Sequence, residues 1–110
     1  MKLGIIQGRL SEPSNGFQEC PENWQKEFYL LRSLNLSHIE WVVTGKVFWA
    51  NPIFDISKNV EASKISSLCA DFLVHPGFKN NAYINKYMKP LCDTAIKRGI
   101  KNITIPLMED

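Results

Sequence analysis

The chain has 110 residues, 45% of them apolar and 22% charged, with 13 Lys and Arg against 11 Asp and Glu and a formal net charge of +2. This composition belongs to a single folded domain and excludes disordered and collagen-like chains. Mixed charge without a basic run gives no nucleic-acid footprint, and no apolar run nears the ~20 residues that span a membrane.

The opening residues Met1 to Gln7 are too short an apolar stretch for a signal peptide. Within them, Leu3 to Ile6 reads as the first strand. The turn after it is Gln7-Gly8-Arg9-Leu10, which lacks the glycine spacing of a dinucleotide or triphosphate cradle. The first helix starts at Asn23, a candidate N-cap, and places Trp24, Phe28, Leu31 and Leu34 on one face. Asn35 is a candidate left-handed residue that ends it, with Leu36 packing back. Ile39 to Val43 is the second predicted strand, followed by an ordered loop over residues 45–52 that carries Phe48 and Trp49. A second, poorly amphipathic helix capped by Asp55 or Ser57 is expected to include Val60, Ile65 and Leu68. Phe72 to Val74 is the third predicted strand. The third helix places Ile84, Met88, Leu91, Cys92, Ala95 and Ile96 on one face, with Pro90 kinking it or starting its second half. Arg98-Gly99-Ile100 repeats the ending at Leu34-Asn35-Leu36 and leads into the fourth strand, Ile103 to Leu107.

The predicted strands start 36, 33 and 31 residues apart. That spacing fits one strand, one helix and two loops per unit, and nearly continuous Ile- and Val-rich runs suit strands of a parallel sheet. The expected fold is α/β, with parallel βα repeats in the order β-α-β-α-β-α-β and right-handed crossovers. Three widely spaced cysteines (Cys20, Cys69, Cys92) and no C-x-x-C point to free thiols in a reduced, cytoplasmic compartment.

Taken in order, several segments resemble the sugar phosphate isomerase/epimerase family of xylose isomerase-like TIM barrels, relatives of endonuclease IV. They are Met1 to Ser11, Trp24 with Glu27-Phe28, Ile39-Glu40-Trp41, Cys69-Ala70-Asp71-Phe72, and Gly99-Ile100 through Ile105-Pro106-Leu107. The resemblance implies a partial (half) TIM barrel of about four strands over residues 1–110, ending after the fourth strand, where a whole barrel has eight. It implies a parent activity in which a proton is removed next to the carbonyl of a sugar or sugar phosphate. A divalent metal (Mn, Mg, Co or Zn) is expected for the full-length family, with its ligands and the catalytic carboxylates on strands five to eight. No metal ligand or catalytic residue is therefore expected in this chain, and the isolated chain is expected to be inactive. Alternatives are a non-enzymatic α/β module that forms a homo-oligomer through its open edges, and a metal-dependent hydrolase related to endonuclease IV.

Barrel sites lie at the C-terminal ends of the strands, and four residues are candidates for substrate contact there. Gln7 either hydrogen-bonds substrate or holds loop backbone. Arg9 either binds a phosphate or carboxylate bidentately or pairs with Glu12. Glu40, between Ile39 and Trp41, has a pocket role or a structural partner, since a buried carboxylate must be bonded. His75, before Pro76-Gly77, contacts a sugar hydroxyl or a metal, or is a plain loop histidine. Glu109, after the fourth strand, lies on the same rim. His38 is placed in a loop at the opposite end, without a role. The aromatic set Phe48, Trp49 and Phe54 reads as a wall over a sugar ring or as a satellite core under a long loop. The expected partner is a small sugar or sugar phosphate, with no nucleic acid and no membrane.

Overall fold

The computed structural model describes residues 2–11, 21–45, 47–74 and 81–106. Among these residues four strands and two α-helices run in the order β1 (Gly4–Ile6), α1 (Trp24–Ser33), β2 (His38–Val42), β3 (Ile65–Cys69), α2 (Asn81–Arg98) and β4 (Ile103–Thr104). All pairings are parallel and the strands lie in sequence order, β1-β2-β3-β4. The fold is thus α/β with parallel βα repeats, and it lacks the reversal of strand order that marks a doubly wound sheet.

The helices end as their sequences predict. Asn35 adopts a left-handed φ of 55° and Gly99 one of 73°. After each, the same two hydrogen bonds close the helix: Asn35 N–H to Arg32 O with Leu36 N–H to Leu31 O, and Gly99 N–H to Ile96 O with Ile100 N–H to Ala95 O. These are paired Schellman endings, which satisfy otherwise orphaned carbonyls. Asn23 occupies the N-cap position of α1, but its side chain accepts no capping hydrogen bond. Helix α2 runs unbroken through Pro90.

Two expectations are corrected. The third strand is Ile65–Cys69, and the apolar run beginning at Phe72 belongs to a 3-10 turn, Asp71–Leu73. No helix spans Val60, Ile65 and Leu68; 3-10 turns at Pro52–Phe54 and Ala62–Lys64 precede the strand. The element order is therefore β-α-β-β-α-β. Asp55 does bond Ser57, through its backbone N–H and its hydroxyl, but that Asx turn starts no helix.

Arg98 supplies the order that a crossover helix would otherwise give. From the end of α2 its Nε donates to Ile53 O at 2.7 Å, Nη2 to Asp55 O at 2.7 Å and Pro52 O at 3.3 Å, and Nη1 to Lys58 O at 3.5 Å. A planar fork of five donors suits such a fan of carbonyls. The Arg32–Glu61 ion pair ties the same connection to α1.

One hydrophobic core lies on one face of the sheet. Ile39, Trp41 and Val43 of the second unit, and Ile65, Leu68 and Ala70 of the third, meet Trp24, Phe28 and Leu31 of α1 and Leu91 and Ala95 of α2. The Phe28 and Trp41 rings stack at 5.9 Å, and Trp24 meets Trp41 edge-on at the same separation. Burying each such side chain contributes about 2 kcal/mol. Strand alternation sends Gly4, Ile6, His38, Glu40, Val42, Ser67, Cys69 and Thr104 to the other face, as the registers Ile6↔Glu40, Glu40↔Ser67 and Cys69↔Thr104 confirm. That face is mixed, with His38, Glu40, Ser67 and Thr104 among Gly4, Ile6, Val42 and Cys69, and it carries a Thr104–Ser67 hydroxyl bond of 3.0 Å. Neither α1 nor α2 covers it. Among the described residues the helices lie on one side of the sheet, an arrangement consistent with the wall of a barrel.

Candidate functional site

The first loop is organised by a buried carboxylate. Glu27, on the buried face of α1, accepts from Gly8 N–H at 2.6 Å through Oε1. Its Oε2 accepts from Leu10 N–H at 2.9 Å, Ser11 N–H at 2.8 Å and the Ser11 hydroxyl at 2.9 Å. Gly8 takes a φ of 90° to aim its N–H inward, a conformation open to glycine. Oriented N–H groups converging on one anion form a cradle, and here the anion is the chain's own.

Gln7 is buried at the end of β1. Its backbone N–H donates to Glu40 O and its Oε1 accepts from Val42 N–H, both at 2.9 Å. The side chain thus stands where the next strand carbonyl would be and extends the β1–β2 ladder. Val42 needs an acceptor, which fixes the amide's orientation and leaves Nε2 buried without a partner among the described residues. Arg9 is exposed on the cradle loop.

Glu40 is half-buried on the open face and, with Gly4, Ile5, Ile6, His38 and Ser66, lines a cavity of about 190 Å³. Gln7 is not among its walls, so the structure puts Gln7 and Glu40 on adjoining strands without joining their side chains in one pocket. His38 is the first residue of β2 rather than a loop residue, with Nδ1 2.5 Å from the Ser37 hydroxyl. His75 and Glu109 lie outside the described residues. Among the described residues no three His, Cys, Asp or Glu side chains come together as a metal site.

The aromatic set divides. Phe48 is buried in the main core and meets Phe54, Phe72 and Tyr87 at 4.6, 5.2 and 4.7 Å, whereas Trp49 stays exposed. Asn51, given no part by the sequence reading, anchors this loop to β2. Its Oδ1 accepts from Trp41 Nε1–H and Ile53 N–H, and its Nδ2 donates to Val42 O. The signal available was Asn51-Pro52, an Asx residue ahead of a proline that opens a turn. For Glu27, the signal was an acidic residue on the apolar stripe of a helix, one position before Phe28.

Comparison with family models, curated proteins and solved structures gave no match.

Proposed function

We propose that this chain is the N-terminal wall of a cytoplasmic TIM-barrel isomerase or epimerase acting on a sugar or sugar phosphate. The observation that supports this reading is the one-sided sheet: four parallel strands in sequence order, helices on one face and, opposite, a face that carries His38, Glu40, Ser67 and Thr104. In a closed barrel that face looks into the interior, and the loops after the strands form the site. Proton transfer next to a carbonyl needs a base near the substrate carbon and groups that hold its oxygens. Within this chain Arg9 would hold a phosphate, with Gln7, Glu40 and His75 as further contacts. The described residues do not fit a divalent metal, so no step through one is assigned to them.

The test is the coding DNA beyond Asp110 together with an exchange assay. Codons for further βα units, bearing Glu, Asp and His at strand ends, are expected. A stop codon directly after Asp110 would overturn the single-chain reading. The 110-residue chain, incubated with a ketose panel and Mn²⁺ in D₂O, is expected to exchange no carbon-bound proton; exchange would overturn the assignment of the base to later strands.

A second reading rests on the sheet margins. Among the described residues β1 and β4 each pair with one strand, and Leu3, Ile6 and Ile105 at these edges are 57%, 47% and 43% exposed. Unpaired parallel edges invite pairing, and two copies joined β4 to β1 would make eight strands. A defined dimer by sedimentation supports that reading, and polydisperse aggregation supports the first.

A further inference from the structure

We propose that the groove between α2 and the segment after β2 binds a neutral saccharide, with Trp49 as its stacking platform. The groove lies in the helix layer, away from the open sheet face, so this inference stands apart from the isomerase reading.

Trp49 is 60% exposed, yet its indole is held in place. The Phe48 and Phe54 rings lie 4.8 and 5.5 Å from it, centroid to centroid. A large aromatic surface is thus presented rigidly beside a groove of about 580 Å³, a volume suited to a small ligand. The opposite wall is α2, where Asp93 and Thr94 both line the groove and lie four and three residues before Lys97. Asp55 completes the polar rim.

The lining selects among ligands. An apolar ligand would strip water from two carboxylates and an ammonium and return no hydrogen bonds. Lys89 is engaged by Asp93 and Arg98 by backbone carbonyls, so an anion in the groove would meet Lys97 as the lining cation beside two carboxylates. A neutral polyhydroxylated ring fits both demands: its C–H face packs on the indole, while its hydroxyls donate to carboxylate oxygens and accept from Lys97 and Thr94. The Asp55 carboxylate is oriented for this, and both carboxylates keep an open oxygen. Asp55 Oδ1 accepts from the Ser57 N–H and hydroxyl, and Asp93 Oδ2 accepts from Lys89 Nζ at 3.4 Å. The second oxygen of each is bonded by no described residue. The Ser57 bonds also hold the Asp55 carboxyl below the ordinary range, keeping it an acceptor.

The whole chain should be titrated with glucose, maltose and cellobiose, and in parallel with glucose phosphate and toluene, while indole N–H resonances are followed. Trp24 and Trp41 are buried, so a groove ligand moves the Trp49 signal and shields that indole from acrylamide. A saturable shift with the neutral sugars, weaker binding of glucose phosphate, and loss of the shift in the Trp49→Ala protein are expected. Asp93→Asn is expected to weaken binding about tenfold, the scale of one hydrogen bond to a charged group. Both side chains are exposed, and an unmoved Trp41 resonance checks that each variant keeps the fold. No saturable shift with any neutral sugar, an undiminished affinity after Trp49→Ala, or preference for glucose phosphate or toluene would each overturn the proposal.

Discussion

The Glu27 carboxylate and the Gly8 backbone N–H meet at 2.6 Å across the first βα loop. With Leu10 and Ser11 completing the set, one side chain satisfies three backbone donors that a short loop cannot satisfy itself. Glu27→Ala leaves those donors unpaired and is expected to cost about 3 kcal/mol or more. Glu27→Gln keeps one acceptor but sets an amide N–H against a backbone N–H, for a loss of about 2 kcal/mol. Urea unfolding measures both. Acetate is expected to raise the melting temperature of the Glu27→Ala protein above that in chloride of equal ionic strength, by filling the emptied cradle. Equal melting temperatures in the two salts would show that the cradle collapses when Glu27 is removed.

Arg98 replaces a missing crossover helix, so its loss should loosen residues 52–58 ahead of the rest. Arg98→Ala is expected to cost about 2 kcal/mol, because several partly buried carbonyls lose a charged donor. Arg98→Lys should recover less than half of that, since an ammonium cannot spread over four carbonyls as the planar fork does. Hydrogen exchange gives the local readout: faster exchange at Phe54, Asp55 and Lys58, whose N–H groups close turns in this segment, with Leu68 in β3 little changed.

The parts legible in the sequence were those fixed by local chemistry. Asn35 and Gly99 end helices because both tolerate a left-handed φ, and each leads into a strand. The spacing of Trp24, Phe28 and Leu31 marked the buried side of α1. Strand β3 was hidden for two reasons. Its outward positions are Ser67 and Cys69, neither of them a strong strand signal, because that face packs on neither helix. A bulge opposite Ile39/Glu40 also inserts Ser66, so that Ile65 and Leu68 both face the core and the period of two is broken. Phe72 and Leu73 looked like a strand because they are apolar and adjacent, yet they are buried by a turn. The positions of Gln7 after β1 and Glu40 within β2 are legible in the sequence, but their relation depends on cross-strand register, which no local pattern contains. Glu27 was quoted only as part of a motif, since its partners lie 16 to 19 residues earlier.

Gly4 and His38 occupy one space on the open face. A Cβ built on Gly4 would lie 2.0 Å from His38 Nε2 and 2.1 Å from Cδ2. Gly4→Ala therefore forces the imidazole away from the Ser37 hydroxyl, and overpacking of this kind costs about 1–3 kcal/mol. In the double variant with His38→Ala the obstacle is gone. The Gly4→Ala, His38→Ala protein is thus expected to be more stable than Gly4→Ala alone, with a coupling of about 1 kcal/mol or more in a double-mutant cycle. Simple additivity would mean that the ring yields without cost.

Tyr83 gives the fold an alkaline limit. Its hydroxyl donates to Phe72 O at 3.1 Å, and Gly45 approaches so closely that a Cβ there would sit 2.9 Å from the phenol oxygen. Burial, then the neighbouring Tyr87, raises its ionisation above the ordinary tyrosine value of about 10. The phenolate cannot donate, and it would face the Phe72 carbonyl as one acceptor against another. Because the folded value lies above the unfolded one, the contribution is whole below pH of about 10 and is lost as pH rises through the folded value. Phenolate absorbance should therefore show a late-titrating component in the native chain that is absent from Tyr83→Phe. Urea stability should fall more steeply above pH of about 10 in the native chain than in that variant. A late component that survives in Tyr83→Phe would assign it to another tyrosine and remove Tyr83 from the alkaline transition.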